Sequence, residues 1–222
     1  MHSMKHSLEV LHMASLPASA AEVPYLFDEM QVPFSSIKMA NWPCDYPYIP
    51  EVAFRIAWCE EGVALHYKVN EQSVRALYAD DNGNVWTDSC VEFFVRNADS
   101  NVYYNMEFNC IGTVLVGVGD GRHGRRRLPL EKLEQIDRWA SLGRTPFEEH
   151  CEPTLWEVAI VIPASVFEQH PISLEAGASI YANFYKCGDE LTVPHFLSWN
   201  PIEVPSPDFH RPDFFGKLLL KD

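Results

Sequence analysis

Apolar and polar residues alternate with a period of two along most of this chain, and Gly and Pro cut the alternation into short runs. Residues 8–13 alternate weakly and predict an edge strand. Residues 34–40 predict another, followed by a loop rich in Pro and aromatic residues over 41–50. Residues 52–58 and 63–70 flank Cys59-Glu60-Glu61-Gly62 and give the clearest hairpin. A strand over about 90–96 comes next, and a second hairpin pairs 102–109 with 113–118 around Gly112. Residues 155–162 put Trp156, Val158, Ile160 and Ile162 on one face. Runs at 180–187, 196–199 and 215–220 complete the set. Only 130–142 shows helical spacing, through Leu130, Leu133, Ile136 and Trp139. Many short strands with one short helix predict an all-β fold, an antiparallel β-sandwich. No repeat or long linker divides the sequence, so one domain over 1–222 is expected.

Alternation also sorts side chains by face, because successive strand residues point opposite ways. In the run from Val85 to Val95, the residues Val91, Phe93 and Val95 read as core. Cys90, Glu92 and Phe94 point the other way, with Trp86 and Asp88 at the entrance of the strand. In the 103–109 strand, Tyr103, Asn105, Glu107 and Asn109 share a face. Tyr181, Asn183 and Tyr185 do so in the 180–187 strand. If the three strands lie in one sheet, its outer face carries Glu92, Asn105, Glu107, Asn109, Asn183 and several tyrosines. Amides and carboxylates suit hydroxyl groups, and aromatic rings pack on the apolar faces of a pyranose. The same residues also fit a solvated sheet face, or tyrosines partly buried under loops.

Charge and cysteine usage narrow the partners. A net charge of −14 argues against nucleic acid or an anionic membrane and fits a neutral ligand or a cation. The one basic run, RHGRRR at 122–127, reads as a solvated loop. The six cysteines form no C-x-x-C pair, so a structural zinc site is not expected. Cys90 and Cys110 fall inside predicted strands as small buried hydrophobes, and reduced thiols point to a cytoplasmic setting. A secreted or periplasmic one stays open. Lys5, a mildly apolar stretch and Ala18-Ser19-Ala20 loosely mimic a signal peptide, but Glu9 and His12 interrupt the apolar part. No apolar run approaches a membrane span.

The C-terminal stretch 194–216 is rich in Pro and aromatic residues, which rules out a helix and predicts an ordered loop. Such a loop forms a pocket wall and presents Trp199, or else its aromatic residues plug the sandwich. For Phe209 and Phe214 the plug is the expected role. His195 and His210 are too far apart in sequence for a local ligand pair. Oxygens of the Asp80-Asp81-Asn82 loop suit calcium, although EF-type spacing is missing.

Taken in order, these pieces resemble the family 9 carbohydrate-binding modules. The resemblance rests on Trp86-Thr87-Asp88-Ser89-Cys90-Val91-Glu92-Phe93-Phe94, on Tyr104 to Asn109 with Gly112, and on Trp156-Glu157-Val158 with Ile162-Pro163. It continues through Asn183 to Asp189, Ser198-Trp199 and Phe214-Phe215-Gly216-Lys217-Leu218. It covers most of the chain from about residue 50. It implies a DOMON-like β-sandwich that binds a mono- or oligosaccharide without catalysis. It also implies a ring held between two tryptophans, with a Glu six residues after the first Trp binding hydroxyls. Trp86 and Glu92 keep that spacing, and Trp199 is the expected second wall. Structural calcium is implied as well, with no ligands assigned. The chain departs from the xylanase-linked members in its elaborate 183–189 and 205–216 segments.

The expected ligand set is therefore Trp86, Glu92, Asn105, Glu107, Asn183 and Trp199. A glycoside-processing enzyme on the same scaffold is the alternative, with Glu92 and either Glu107 or Asp88 as an acid/base pair. Glycosidase carboxyls lie about 5–5.5 Å apart for retention and about 6.5–9.5 Å for inversion. A DOMON-like haem or redox module is a third reading and needs axial His or Met ligands.

Overall fold

The structure is a computed structural model that describes residues 5–222. Its main strands are β1 (Ser7–His12), β2 (Glu51–Cys59), β3 (Gly62–Glu71), β4 (Cys90–Asn97) and β5 (Tyr103–Asn109). They continue with β6 (Val114–Gly119), β7 (Asp137–Ala140), β8 (Thr154–Pro163), β9 (Ser179–Cys187) and β10 (Gly216–Leu220). One sheet runs β6-β5-β4-β9-β10-β1 and the other β1-β2-β3-β8-β7. Both predicted hairpins form, as β2–β3 and β5–β6, with antiparallel registers.

β1 belongs to both sheets. Residues Ser7 to Val10 pair in parallel with β10, and Leu11 and His12 pair in parallel with Ala57 and Trp58 of β2. The expected edge strand is thus an interior one, and it stitches the two layers together. Ala20, in the stretch that loosely mimics a cleavage site, is fully buried.

The core fills the space between the layers with the inward residues that alternation selects. Val91, Phe93 and Val95 from β4, Tyr104, Met106 and Phe108 from β5, and Trp156, Val158, Ile160 and Ile162 from β8 are all buried. At one end of this core Lys186, Glu71 and His195 form a fully buried polar trio. Lys186 Nζ lies 2.9 Å from Glu71 Oε2 and 2.7 Å from His195 Nε2, and the Trp156 indole donates to Glu71 Oε1 at 2.7 Å. Burial and the Lys186 charge hold His195 well below the usual imidazole range. His195 is a structural histidine.

Helix placement differs from the spacing argument. Only Leu130–Leu133 winds helically. Asp137–Ala140 instead adds an edge strand to β8, with Trp139 opposite Ala159. Sheet pairing overrides the local helical period there. The longer helix is α1 (Val23–Glu29), with a proline in its first turn, and it buries Val23 and Phe27. A proline at that position is compatible with helix initiation, because its missing N–H has no intrahelical partner to lose.

Candidate functional site

The sheet containing β4, β5, β6 and β9 has a second, outward face, and register decides who meets there. Glu92 lies opposite Glu107 on β5 and Tyr185 on β9. Asn105 lies opposite Phe94 and Gly117, and Cys90 lies opposite Cys187. The expectation that three strands share one polar-aromatic face therefore holds in the registered sheet. The face is not open. Its Phe94, Tyr103 and Tyr185 pack into a small apolar cluster with Trp42, Val85, Phe209 and Phe215, which cover part of it.

Where that cover stops, a cleft of about 360 Å³ remains. Its floor is Glu92, Asn105, Glu107 and Cys187. Trp86 stands on one side, on a single turn of 3₁₀ helix (Val85–Thr87), half-buried. Phe196 and Phe209 contribute aromatic surface, and Arg122, Arg125 and Arg127 with Asp189, Asp208 and His210 complete the walls. A mixed aromatic and polar concavity of this size falls at the small end of the roughly 300–1,000 Å³ seen for ligand sites.

The floor is electrostatically unusual. Glu92 and Glu107 are 3% and 5% exposed, so two neighbouring carboxyls are withdrawn from water. Asn105 donates to Glu107 Oε1 at 2.8 Å, whereas the buried Glu107 Oε2 has no protein partner among the described residues. Burial pushes Glu107 up to about 7. Burial, and then the Glu107 charge, push Glu92 well above the usual carboxylate range. The Cys187 thiol donates to Glu92 Oε1 at 3.1 Å.

The basic run does more than coat a loop. Arg126 and Arg127 pair with Val118 and Gly117, which lays the preceding residue, Arg125, across the sheet. Arg125 Nε donates to Asn105 Oδ1 at 2.7 Å, and its other nitrogens donate to the carbonyls of Tyr103, Gly117, Gly119 and Gly121. Its guanidinium also lies 4.0 Å from the Tyr103 ring centre. Gly117 makes this possible, since a Cβ there would sit 2.5 Å from Asn105 Oδ1. Arg125 therefore fixes Asn105 with its amide turned toward Glu107.

Three expected site residues lie elsewhere. Trp199 is buried against Phe54 and Phe184 on the inner side of the sheet, with ring centres 6.1 and 5.6 Å away. Gly216 leaves the space its ring occupies. The second wall expected from Trp199 is thus absent from the cleft, and Phe196 and Phe209 supply the aromatic surface instead. Asn183 shares the outer face but is fully buried under the C-terminal loop. Its Oδ1 accepts from the Asn200 N–H at 2.9 Å and its Nδ2 donates to the Asn200 carbonyl at 3.0 Å. Asp88, the alternative acid, is fully buried and accepts from Arg75, from the N–H groups of Leu77 and Tyr78, and from Asn109. It closes a turn and does not reach the cleft.

The C-terminal loop does form a wall, with Phe209 rather than Trp199. Phe209 stacks on Tyr185 at 4.2 Å, and the Tyr185 hydroxyl donates to its carbonyl at 3.1 Å. It is both plug and lining. His210 is hydrogen-bonded to the Tyr103 hydroxyl at 2.9 Å, and burial holds it down at about 3 and so neutral. The sequence pattern does not single out Arg125, Cys187 or His210 as site residues. Cys187 alone carries a signal, since it shares the parity of Asn183 and Tyr185.

In the Asp80-Asp81-Asn82 loop, Asp81 Oδ1 faces Arg138 at 2.6 Å and the Val114 N–H at 3.0 Å, whereas the buried Asn82 Oδ1 has no hydrogen-bond partner among the described residues. Among the described residues, the cluster with metal-ligand spacing is Cys90, Glu92 and Cys187, whose sulfurs suit a softer cation than calcium. All six cysteines are free thiols. No helix among the described residues is long and apolar enough to cross a membrane.

The molecule is thus a two-layer β-sandwich with an aromatic-rimmed polar cleft on one outer face. The chain belongs to carbohydrate-binding family 9, whose profile it matches over residues 21–220. That places it among non-catalytic binding modules. It is 44% identical to a Bacteroides uniformis protein provisionally described as carbohydrate-binding, whose crystal structure superposes with a TM-score of 0.93 over 98% of this chain and 100% of that one. A family 9 module from Caldicellulosiruptor kristjanssonii in complex with glucose shares 13% identity, with a TM-score of 0.63 over 97% and 96% of the two chains. The same organism's module with cellotriose gives 13% and 0.60 over 97% and 94%. At that identity the likeness is one of fold. No curated protein sequence matches the chain significantly.

Proposed function

We propose that the cleft over β4, β5 and β6 binds the end of a mono- or oligosaccharide. Trp86 stacks on a pyranose ring, Glu92 and Glu107 accept from its hydroxyls, and Asn105 orients Glu107. The observation that carries this reading is the pairing of a half-buried indole with a buried Glu107 oxygen that no described protein group satisfies. A buried acceptor without a partner costs about 1–3 kcal/mol, which a ligand hydroxyl recovers on binding. Phe196 and Phe209 take the place of a second tryptophan. Gluco-configured sugars are the first candidates, since the distant family 9 modules of known structure carry glucose and cellotriose.

Titration calorimetry with glucose, cellobiose and cellotriose tests the proposal. Binding of at least one of them, weakened about tenfold or more in Trp86→Ala with the fold intact, supports it, a loss equivalent to about 1.4 kcal/mol. Equal affinity in the variant removes Trp86 from the site.

A further inference from the structure

We propose that Cys90, Cys187 and Glu92 form a site for a thiophilic divalent cation of the zinc class, set into the floor of the cleft. The sheet itself builds it. Cys90 and Glu92 are two residues apart on β4 and so point to the same side, and Cys187 is the register partner of Cys90 on β9. Two thiols and a carboxyl consequently meet at one point of the outer face. Their donor atoms all lie within 4.8 Å of one another, and Cys187 Sγ is 3.1 Å from Glu92 Oε1.

That spacing matches what a tetrahedral ion requires. With Zn–S near 2.3 Å and Zn–O near 2.1 Å, the donor–donor edges are about 3.6–3.8 Å, within reach of small side-chain rotations. Glu92 and Cys187 line the cleft and Cys90 is fully buried beside them, so three donors come from the protein. Glu92 and Glu107 are buried side by side, and both residues line the cleft. Among the described residues, no cationic side chain is hydrogen-bonded to either carboxyl, so none competes with a cation for Glu92; Arg125 reaches Asn105 and backbone carbonyls instead.

Binding displaces protons without any change of oxidation state. Both thiols, and Glu92 where it is protonated, lose their protons to bulk water, two metal–sulfur bonds and one metal–oxygen bond form, and a water completes the shell. Thiolate donors select zinc or cadmium over calcium or magnesium. Glu92 is shared with the proposed sugar site, but the two thiols are not and the readout needs no sugar, so either proposal can fail while the other stands.

Cadmium titration tests it, in protein whose exposed Cys44 and Cys151 are replaced by Ser and which is kept under a phosphine reductant. The expected result is a thiolate-to-cadmium charge-transfer band in the ultraviolet that saturates at one equivalent, with the acid release that two displaced thiol protons require. Adding Cys187→Ala removes most of the band. Because Cys187 is buried and that change risks the fold, Glu92→Gln serves as the second variant. It keeps both thiols, and the expected loss in cadmium affinity is an order of magnitude or more. Absence of the band at one equivalent overturns the proposal, as does a band of unchanged size in folded Cys187→Ala or unchanged affinity in Glu92→Gln.

Discussion

Replacing Glu107 by Gln keeps the side-chain shape and the acceptor for Asn105 but removes a buried charge. In the folded protein Glu107 titrates at about 7 rather than 4.5, chiefly because burial disfavours the carboxylate. That difference corresponds to about 3 kcal/mol at about 1.4 kcal/mol per pH unit. The folded state keeps a proton that the unfolded chain has already released between about pH 4.5 and 7. Stability therefore falls as pH rises through that window and is greatest below it. The amide of the Glu107→Gln variant has no such titration. Urea unfolding of wild type and Glu107→Gln at a series of pH values reads the difference directly. The two proteins are expected to match near about pH 4.5 and to separate by up to about 3 kcal/mol, with the variant more stable, by about pH 8. Burial also raises Glu92, so the variant keeps a pH dependence of its own, shallower than that of wild type. A gap independent of pH, or a wild type more stable at about pH 8, refutes the picture of a buried, desolvated carboxyl pair.

Other residues give contrasting outcomes. Asp88→Asn breaks a buried charge pair with Arg75 and should cost about 3–5 kcal/mol in denaturant unfolding. Trp199→Ala should cost about 3–5 kcal/mol, yet leave sugar affinity of the folded protein within about twofold in calorimetry, since the indole packs on the inner face away from the cleft. Gly117→Ala places a methyl against Asn105 Oδ1, disturbs the Arg125 contact to that oxygen, and should weaken sugar binding in calorimetry by about tenfold, or about 1.4 kcal/mol, along with a lowered melting temperature.

Much of the fold is legible in the sequence because strand periodicity is rigid. A period of two places Glu92, Asn105 and Glu107 on one face as soon as their strands are identified, and the register of β4 with β5 agrees. Strand periodicity carries no information about what covers a face. Asn183 has the right parity, yet Asn200 folds over it and consumes both ends of its amide. Trp199 follows the last residue of a short strand, Phe196–Ser198, where alternation no longer dictates direction, and the space beside Gly216 draws its ring inward. The basic run reads as solvated because a local pattern cannot show that Arg126 and Arg127 pair with β6 and carry Arg125 onto the sheet. The short helix differs for a related reason. The spacing from Leu130 to Ile136 fits one turn, but β8 offers a free edge and Asp137–Ala140 takes it.

The central claim is that a sugar sits in this cleft, between Trp86 and the buried carboxyls. A crystal structure of the protein soaked with the best-binding glucan oligosaccharide tests it most directly. The expected result is a pyranose ring lying on the Trp86 indole, with one hydroxyl within hydrogen-bond distance of Glu107 Oε2 and Phe196 or Phe209 on the opposite side. A sugar bound away from Trp86, or one in the cleft that leaves Glu107 Oε2 without a hydroxyl partner, would contradict it.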